Sequence, residues 1–238
     1  MLKLPLKVSS GHTAHDLDAA TQRRVSRHRP GDFQDVVMLQ PGGWVMLRRY
    51  LKLHQKISSF QFRADDVVVM TFPKCGTTWC QEIVWNMRNN PNLDNPDADH
   101  ALFIRSPFLE VDMLTRGSPT TDLTAPRRQA FFKGIEIYSV VPDFENGFMI
   151  ELAEAHTKPR TIKTHLAFSL LPKNLLDTCK VVYMFRNPMD NVLSALHHYK
   201  LVKIHSFVGT QDDFVDMYVD DLRNLTKMCA AQILIHLG

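Results

Sequence analysis

Residues 65–87 read DDVVVMTFPKCGTTWCQEIVWNM. Two acids open onto Val67, Val68, Val69 and Met70, a β-branched run without polar alternation. That is the pattern of a short strand covered on both faces, as parallel sheets require. Pro73, Lys74, Cys75 and Gly76 then make a turn, and residues 77–87 read as a helix with Trp79, Ile83 and Met87 spaced along one face. A helix N-terminus presents unpaired N–H groups and partial positive charge, so it favours an anion. Gly76 lets the backbone approach a ligand closely. Lys74 adds a charge, and Thr77 and Thr78 add hydroxyls. The same residues also fit a plain strand–turn–helix capped by threonines. The spacing is not G-x-x-x-x-G-K-[ST], because the lysine stands two residues before the glycine.

A second unit has the same plan. Residues 180–185, KVVYMF, read as another buried strand; Arg186, Asn187 and Pro188 turn the chain, and a helix runs from about residue 189 to 201. Repeated strand–loop–helix units predict an α/β fold, a parallel β-sheet flanked by helices. In open sheets of that kind ligands bind beyond the C-terminal ends of the strands, where Arg186 falls. With Ser194, eight residues on, it could clamp a phosphate, or it could serve a structural salt bridge. Between the two units lies RTIKTHL, residues 160–166. As a short strand it places Lys163 and His165 on one side. A cation beside a histidine favours the neutral, proton-accepting imidazole, although an ordinary strand edge explains the pattern equally.

The remaining sequence is less informative. The first 35 residues lack periodicity and read as a flexible N-terminal arm. Residues 44–57 fit an amphipathic helix loosely, 89–99 and 116–128 read as loops, 169–176 as a short helix broken near Pro172, and 210–237 as helical. The 238 residues carry a formal net charge of +3 with 45% hydrophobic and 22% charged residues, an ordinary globular balance too weakly basic for nucleic-acid binding. Four cysteines without a C-x-x-C pair suggest neither a disulfide framework nor a zinc site, and the eleven histidines show no ligand spacing. Arg23, Arg24, Arg27 and Arg29 could suit a transit peptide, but Asp16 and Asp18 argue against one. With no signal-like or membrane-length apolar run, the expectation is a cytoplasmic protein without a membrane partner.

TFPKCGTTW, RTIKTHL and KVVYMFRNPMDNVLSALHHY, in that order, resemble the three motifs of the cytosolic sulfotransferases: T-Y-P-K-S-G-T-T-W, R-x-x-K-T-H-L and K-V-V-Y-x-x-R-N-x-x-D-x-x-x-S. The likeness extends over about residues 40–220, including FIRSPFLE at 103–110 and LAFSLLPKNLLD at 166–177. It implies a P-loop-like sulfotransferase fold, with residues 36–238 as one domain, and a metal-free reaction using 3′-phosphoadenylyl sulfate (PAPS) as co-substrate. By the resemblance, Lys74 would stabilise the leaving nucleotide phosphate. Cys75, Gly76, Thr77 and Thr78 would hold the 5′-phosphosulfate, and Trp79 would stack on adenine. Arg186 and Ser194 would bind the 3′-phosphate, Lys163 would stabilise the transferring group, and His165 would be the general base. The partner would be a hydroxyl of a small apolar molecule, with Phe72, Phe108 and Phe168 as candidate pocket walls.

The chain departs from the family at named places. Cys75 stands for serine, and a thiol at a helix start is expected to have a lowered pKa. Ala167 stands for a common proline, and the stretch between Phe108 and Arg160 is longer than usual. The R-K-G-x-x-G-D-W-K segment, which gives further donors to the 3′-phosphate, and the dimer segment are not found; LRNLTKMCAAQILIHLG stands at 222–238. The expectation is a C-terminally shortened sulfotransferase, a homodimer being allowed but not indicated. The alternative is a weakly active or inactive donor-binding module acting as a regulatory partner. A nucleotide kinase shares the loop plan but not the lysine position or the other two motifs.

Overall fold

The computed structural model describes residues 2–29, 35–114, 143, 145–202, 205 and 207–220. Four short strands, β1 (Leu6–Lys7), β2 (Thr13–His15), β3 (Val36–Gln40) and β4 (Trp44–Leu47), form an antiparallel sheet in the order β1-β2-β3-β4. Helix α1 (Ala19–His28) lies between β2 and β3, and α2 (Tyr50–Ser59) comes after β4. The second sheet is parallel. Its centre is β5 (Val67–Thr71), succeeded by α3 (Thr77–Asn89) and the short α4 (Leu102–Arg105). Helix α5 (Phe148–Ala155) leads into β6 (Thr161–Thr164). The short α6 (Leu175–Thr178), β7 (Lys180–Met184), α7 (Pro188–Leu201) and α8 (Gln211–Val219) complete the described chain. The sheet order is β6-β5-β7. The parallel sheet flanked by helices is thus the α/β architecture that the strand–loop–helix units predict.

The expected central strand is there, with Val68, Val69, Met70 and Thr71 fully buried. The second strand is also there but only half-buried, because β7 is an edge of the described sheet and Phe185 beyond it is exposed. The register pairs Val67 with Thr161 and Lys180, and Met70 with Thr164 and Tyr183. One buried ion pair anchors the N-terminal end of this arrangement. Arg160 and Asp66 are both 1% exposed, and Arg160 Nε donates to Asp66 Oδ1 at 2.8 Å. The guanidinium also donates to the carbonyls of Ala153 and Gln61 and lies over the Phe60 ring. Val67 N–H then donates to the Arg160 carbonyl, which starts the β5–β6 ladder.

Other elements depart from the sequence expectations. Residues 6–28 are not irregular: they carry β1, β2 and α1, and bury Val8, Ala14 and Val25. Asp18 caps α1 by accepting from the N–H groups of Ala20 and Thr21. Because α1 is strongly polar and buries a single residue, Val25, it shows no apolar stripe. Of its arginines, Arg24 pairs with Asp220 and Arg29 is buried with its guanidinium over the Tyr199 ring, so both serve the fold. Residues 44–57 hold strand β4 and then α2 rather than one helix, because Gly42 and Gly43 turn the chain with φ of 104° and 65°. A Cβ on Gly42 would stand 2.5 Å from Trp44 Nε1. In α3 the stripe of Trp79, Ile83 and Met87 faces outward, 72%, 46% and 74% exposed, while Thr77, Cys80, Gln81 and Trp85 face inward. The break near Pro172 is found, between a 3₁₀ turn at Phe168–Leu170 and α6. The loop expected at 116–128, the helix beyond residue 220 and the segment 222–238 lie outside the described residues.

The Asp66–Arg160 pair makes a stability prediction. Asp66→Ala leaves a buried guanidinium without its counter-ion and should lower unfolding free energy by about 3–5 kcal/mol. Urea denaturation checks this; a loss under about 1 kcal/mol contradicts the anchoring role.

Candidate active site

β5 ends at Thr71, and the chain must leave the sheet and start α3 within a few residues. It does so through two left-handed residues, Lys74 at φ 70° and Gly76 at φ 91°. Positive φ is costly for a lysine and free for a glycine. A Cβ on Gly76 would make only ordinary contact with Met184 Cε, so backbone conformation rather than crowding asks for glycine there. Gly76 is also the N-cap of α3, with no side chain to cap the first-turn amides. The helix therefore presents uncapped N–H groups at this corner, as an anion site needs.

A side chain from α7 fixes the loop. Asn191 Nδ2 donates to the Pro73 carbonyl at 2.8 Å and lies 3.3 Å from Cys75 Sγ. Tyr218 of α8 donates to Asn191 Oδ1 at 2.8 Å and so holds the amide in place. Arg186, at the end of β7, donates from Nη1 to the Lys74 carbonyl at 3.4 Å. The corner after β5 and the corner after β7 therefore meet. Asn187 caps α7 through the Met189 N–H, and Ser194 lies half-buried two turns further on.

The third motif arrives on β6. His165 stands just past the strand, and its Nδ1 lies 2.8 Å from the Thr71 carbonyl and 3.2 Å from Thr71 Oγ1. A carbonyl only accepts, so Nδ1 carries the hydrogen and Nε2 keeps its lone pair. Thr71 Oγ1 also lies 2.5 Å from Thr77 Oγ1. The Thr77 hydroxyl is thus turned into the protein, which differs from the expected outward donor, whereas Thr78 and Trp79 are exposed. Lys163 Nζ sits 4.0 Å from the centre of the Phe108 ring, and His165 meets the same ring edge-on at 5.1 Å. Glu110 is fully buried behind them. It accepts the His165 N–H on Oε1 at 2.6 Å and the Thr164 hydroxyl on Oε2 at 2.9 Å.

The electrostatics arise from burial and crowding of like charge. Burial lowers the Lys163 pKa to about 8; Glu110 opposes the fall and Lys74 adds to it. Lys74 is lowered by burial and by Arg186. His165 is held well below the usual histidine range by burial and then by the Lys163 charge. Burial raises Glu110 to about 7. The Cys75 thiol is raised, not lowered as its place at a helix start suggests, because burial outweighs its hydrogen bonds.

All three motifs therefore converge at one end of the parallel sheet. Of the expected pocket walls, Phe108 contacts both Lys163 and His165. Phe72 packs on Tyr218, with ring centres 5.9 Å apart, and Phe168 packs against the core. Several site neighbours carry no local sequence signal: Thr71, Glu110, Asn191 and the pair His198 and His205. His198 and His205 bring their Nε2 atoms to 3.1 Å, and burial, with Lys74 and Lys163 adding to it, lowers His198 to about 4. Among the described residues no group of three or more His, Cys, Asp or Glu side chains could hold a metal.

Comparison with known proteins shows the family. The family model described as the sulfotransferase domain matches residues 64–231. The chain belongs to the sulfotransferase family. It is 30% identical to sulfotransferase 1 family member D1 of Mus musculus over 165 residues, 69% of this chain and 45% of that protein. With sulfotransferase 1A1 of Bos taurus it is 31% identical over 178 residues, 74% of this chain and 50% of the relative. The chain thus spans about half the length of these curated relatives. Retinol dehydratase solved with androsterone and the inactive cofactor PAP superposes with a TM-score of 0.73 at 29% identity, covering 94% of this chain and 64% of that one. The same enzyme solved with retinol and PAP gives 0.72.

The Asn191 contact makes a second prediction. Asn191→Ala leaves the Pro73 carbonyl and the Tyr218 hydroxyl without this partner, and should destabilise the protein by about 1–3 kcal/mol. Chemical denaturation measures it; an unchanged midpoint contradicts the role of the amide as a latch.

Proposed function

We propose that this protein transfers a sulfuryl group from PAPS to a hydroxyl of a small apolar acceptor. The observation that carries this reading is the meeting of the Lys74 and Arg186 corners, 3.4 Å apart, beside a histidine whose tautomer leaves Nε2 free to accept a proton. Three clustered cations and an uncapped helix start suit a ligand with several negative charges. Family membership supports PAPS as that ligand, and PAP is present in the similar retinol dehydratase structures.

In this reading the α3 amides at Gly76, Thr77 and Thr78, with Cys75 of the same loop, hold the 5′-phosphosulfate, and Trp79 offers its exposed face to adenine. Arg186 and Ser194 bind the 3′-phosphate. The acceptor oxygen forms a bond to sulfur as the bond from sulfur to the bridging phosphate oxygen breaks. The hydroxyl proton passes to His165 Nε2, and the electron pair leaves on the nucleotide phosphate, which Lys74 stabilises. Lys163 offsets charge on the sulfuryl oxygens. Alignment and charge stabilisation supply most of the rate in group transfers of this kind, so no metal is needed. Phe108, with Phe72 and Phe168 as further candidates, gives the acceptor an apolar wall. An apolar alcohol, phenol or steroid fits, and androsterone and retinol lie in the similar structures. Residues 36–238 are taken as one domain working in the cytoplasm; no helix among the described residues is long and apolar enough to cross a membrane.

Incubation with radiolabelled PAPS and a panel of phenols and alcohols tests the reading. Labelled acceptor is expected. Retention of the protein on immobilised PAP without any labelled product would instead make it a donor-binding module. His165→Ala should lower kcat by about 10²–10⁴-fold and leave PAP affinity nearly unchanged. A variant as active as the wild type removes His165 as the base.

The pH dependence is a further check. Lys163 must be protonated to act, and its pKa in the free protein is about 8. The kcat/KM profile should therefore fall on the alkaline side near that value, since kcat/KM reports the free enzyme. Lys163→Arg keeps its charge at every accessible pH, so in any residual activity this limb should vanish. A limb that persists unchanged in this variant assigns the titration to another group.

A further inference from the structure

Glu110 has no part in the transfer chemistry, yet its carboxylate holds the two consecutive residues at the site end of the third motif. It is buried completely, and both its oxygens are used on two consecutive residues, Thr164 Oγ1 at 2.9 Å and the His165 N–H at 2.6 Å. The backbone on either side repeats the grip. Lys163 N–H donates to the Pro107 carbonyl at 2.8 Å, and Leu109 N–H donates to the Lys163 carbonyl at 3.0 Å. The segment 107–110 thus continues the parallel sheet beyond β6, with a bridge between Phe108 and Lys163. A purely structural peg at this place could be neutral. A carboxylate without a counter-charge is costly in a fully buried position, and lysine is the cation that offsets it here.

We propose that Glu110 is a positioning residue for the transfer step, fixing the Thr164–His165 backbone with its two oxygens and keeping the Lys163 side chain charged through its own negative charge. This inference rests on the functional reading for its effect on turnover, but its structural half does not. The charged and titratable groups around Lys163 come from four directions. Glu110 raises its pKa, Lys74 on the donor loop lowers it, and His198 on α7 responds to the same ammonium. His165 faces it from the end of β6 and stays neutral in its presence. Of these, Glu110 is the one negative group, so its removal has a definite sign. Without it Lys163 should lose its proton at lower pH.

The experiment uses the full chain with ¹³C-labelled lysine, and tracks the Lys163 Cε resonance against pH, assigned by its absence in Lys163→Arg. Glu110→Gln keeps an oxygen for the His165 N–H but removes the charge. Its Lys163 midpoint should move down by about one pH unit, and in the activity assay kcat should fall with PAP affinity retained. Glu110→Asp, which restores charge on a shorter stem, should return the midpoint most of the way towards wild type. An unmoved midpoint in a folded Glu110→Gln protein overturns the proposal. The wild type provides a check that needs no variant. The Glu110 carboxyl resonance should titrate near 7, and the Lys163 resonance should register that step. Two independent curves also overturn the proposal. If the wild type moves no sulfuryl group, the functional reading fails, while the Lys163 titration still decides whether Glu110 sets that charge.

Discussion

Three parallel strands ending at one level are the constraint on which the site depends. β5 pairs along its whole length with β7 and along most of it with β6, so the Met70–Thr164 and Thr71–Met184 pairs close the two ladders one residue apart. The residues just past each strand must then appear at one edge of the sheet. After β5 comes the Lys74–Gly76 turn, after β6 comes His165, and after β7 comes Arg186. A slip of one residue in β6 would exchange the faces of Lys163 and Ile162 and take one of the three cations, Lys163, out of the site. The buried Asp66–Arg160 pair sits at the opposite end, where it fixes the start of the β5–β6 ladder at the Val67 N–H.

The edge so built is electrostatically unbalanced. Lys74, Lys163 and Arg186 are close enough to depress one another or the histidines near them. The uncapped start of α3 adds partial positive charge. Glu110 is the one buried carboxylate that the described structure sets against this excess, and burial works against its ionisation. Such a cluster costs folding free energy on its own, and an anion relieves it. The same field explains the state of His165. A histidine buried beside a lysine stays neutral, and the Thr71 carbonyl selects the tautomer that can receive a proton.

The legible part of the sequence was local. The run 67–71, the glycine turn and the helix after it each have their own pattern within a few residues, and so do β7 and α7 with the Arg186–Pro188 turn between them. Failures came where an element buries few apolar residues. α1 buries only Val25, β1 and β2 are two and three residues long, and the Gly42–Gly43 turn pairs residues 44–47 with β3, so that the first part of what reads as one helix is strand. The stripe on α3 misled for a related reason: its period is helical, but the buried face is that of Cys80, Gln81 and Trp85. The supporting side chains could not be read at all. Glu110 lies 55 residues from His165, Asn191 lies 118 from Pro73, and Thr71 lies 94 from His165. Contacts at such separation leave no spacing in one sequence. The His198–His205 pair spans only seven residues, yet its meeting depends on how the chain turns after α7.

If the two corners grip the two charged ends of one nucleotide, affinity must depend on the 3′-phosphate and on Arg186 together. The direct measurement is calorimetric titration with 3′-phosphoadenosine 5′-phosphate and with adenosine 5′-phosphate, on the wild type and on Arg186→Ala. The wild type should prefer the bisphosphate by about 10–100-fold, and the variant should lose most of that preference while binding the monophosphate as before. Equal affinity for both nucleotides in the wild type, or an undiminished preference in the variant, would contradict a shared anion site built from these corners.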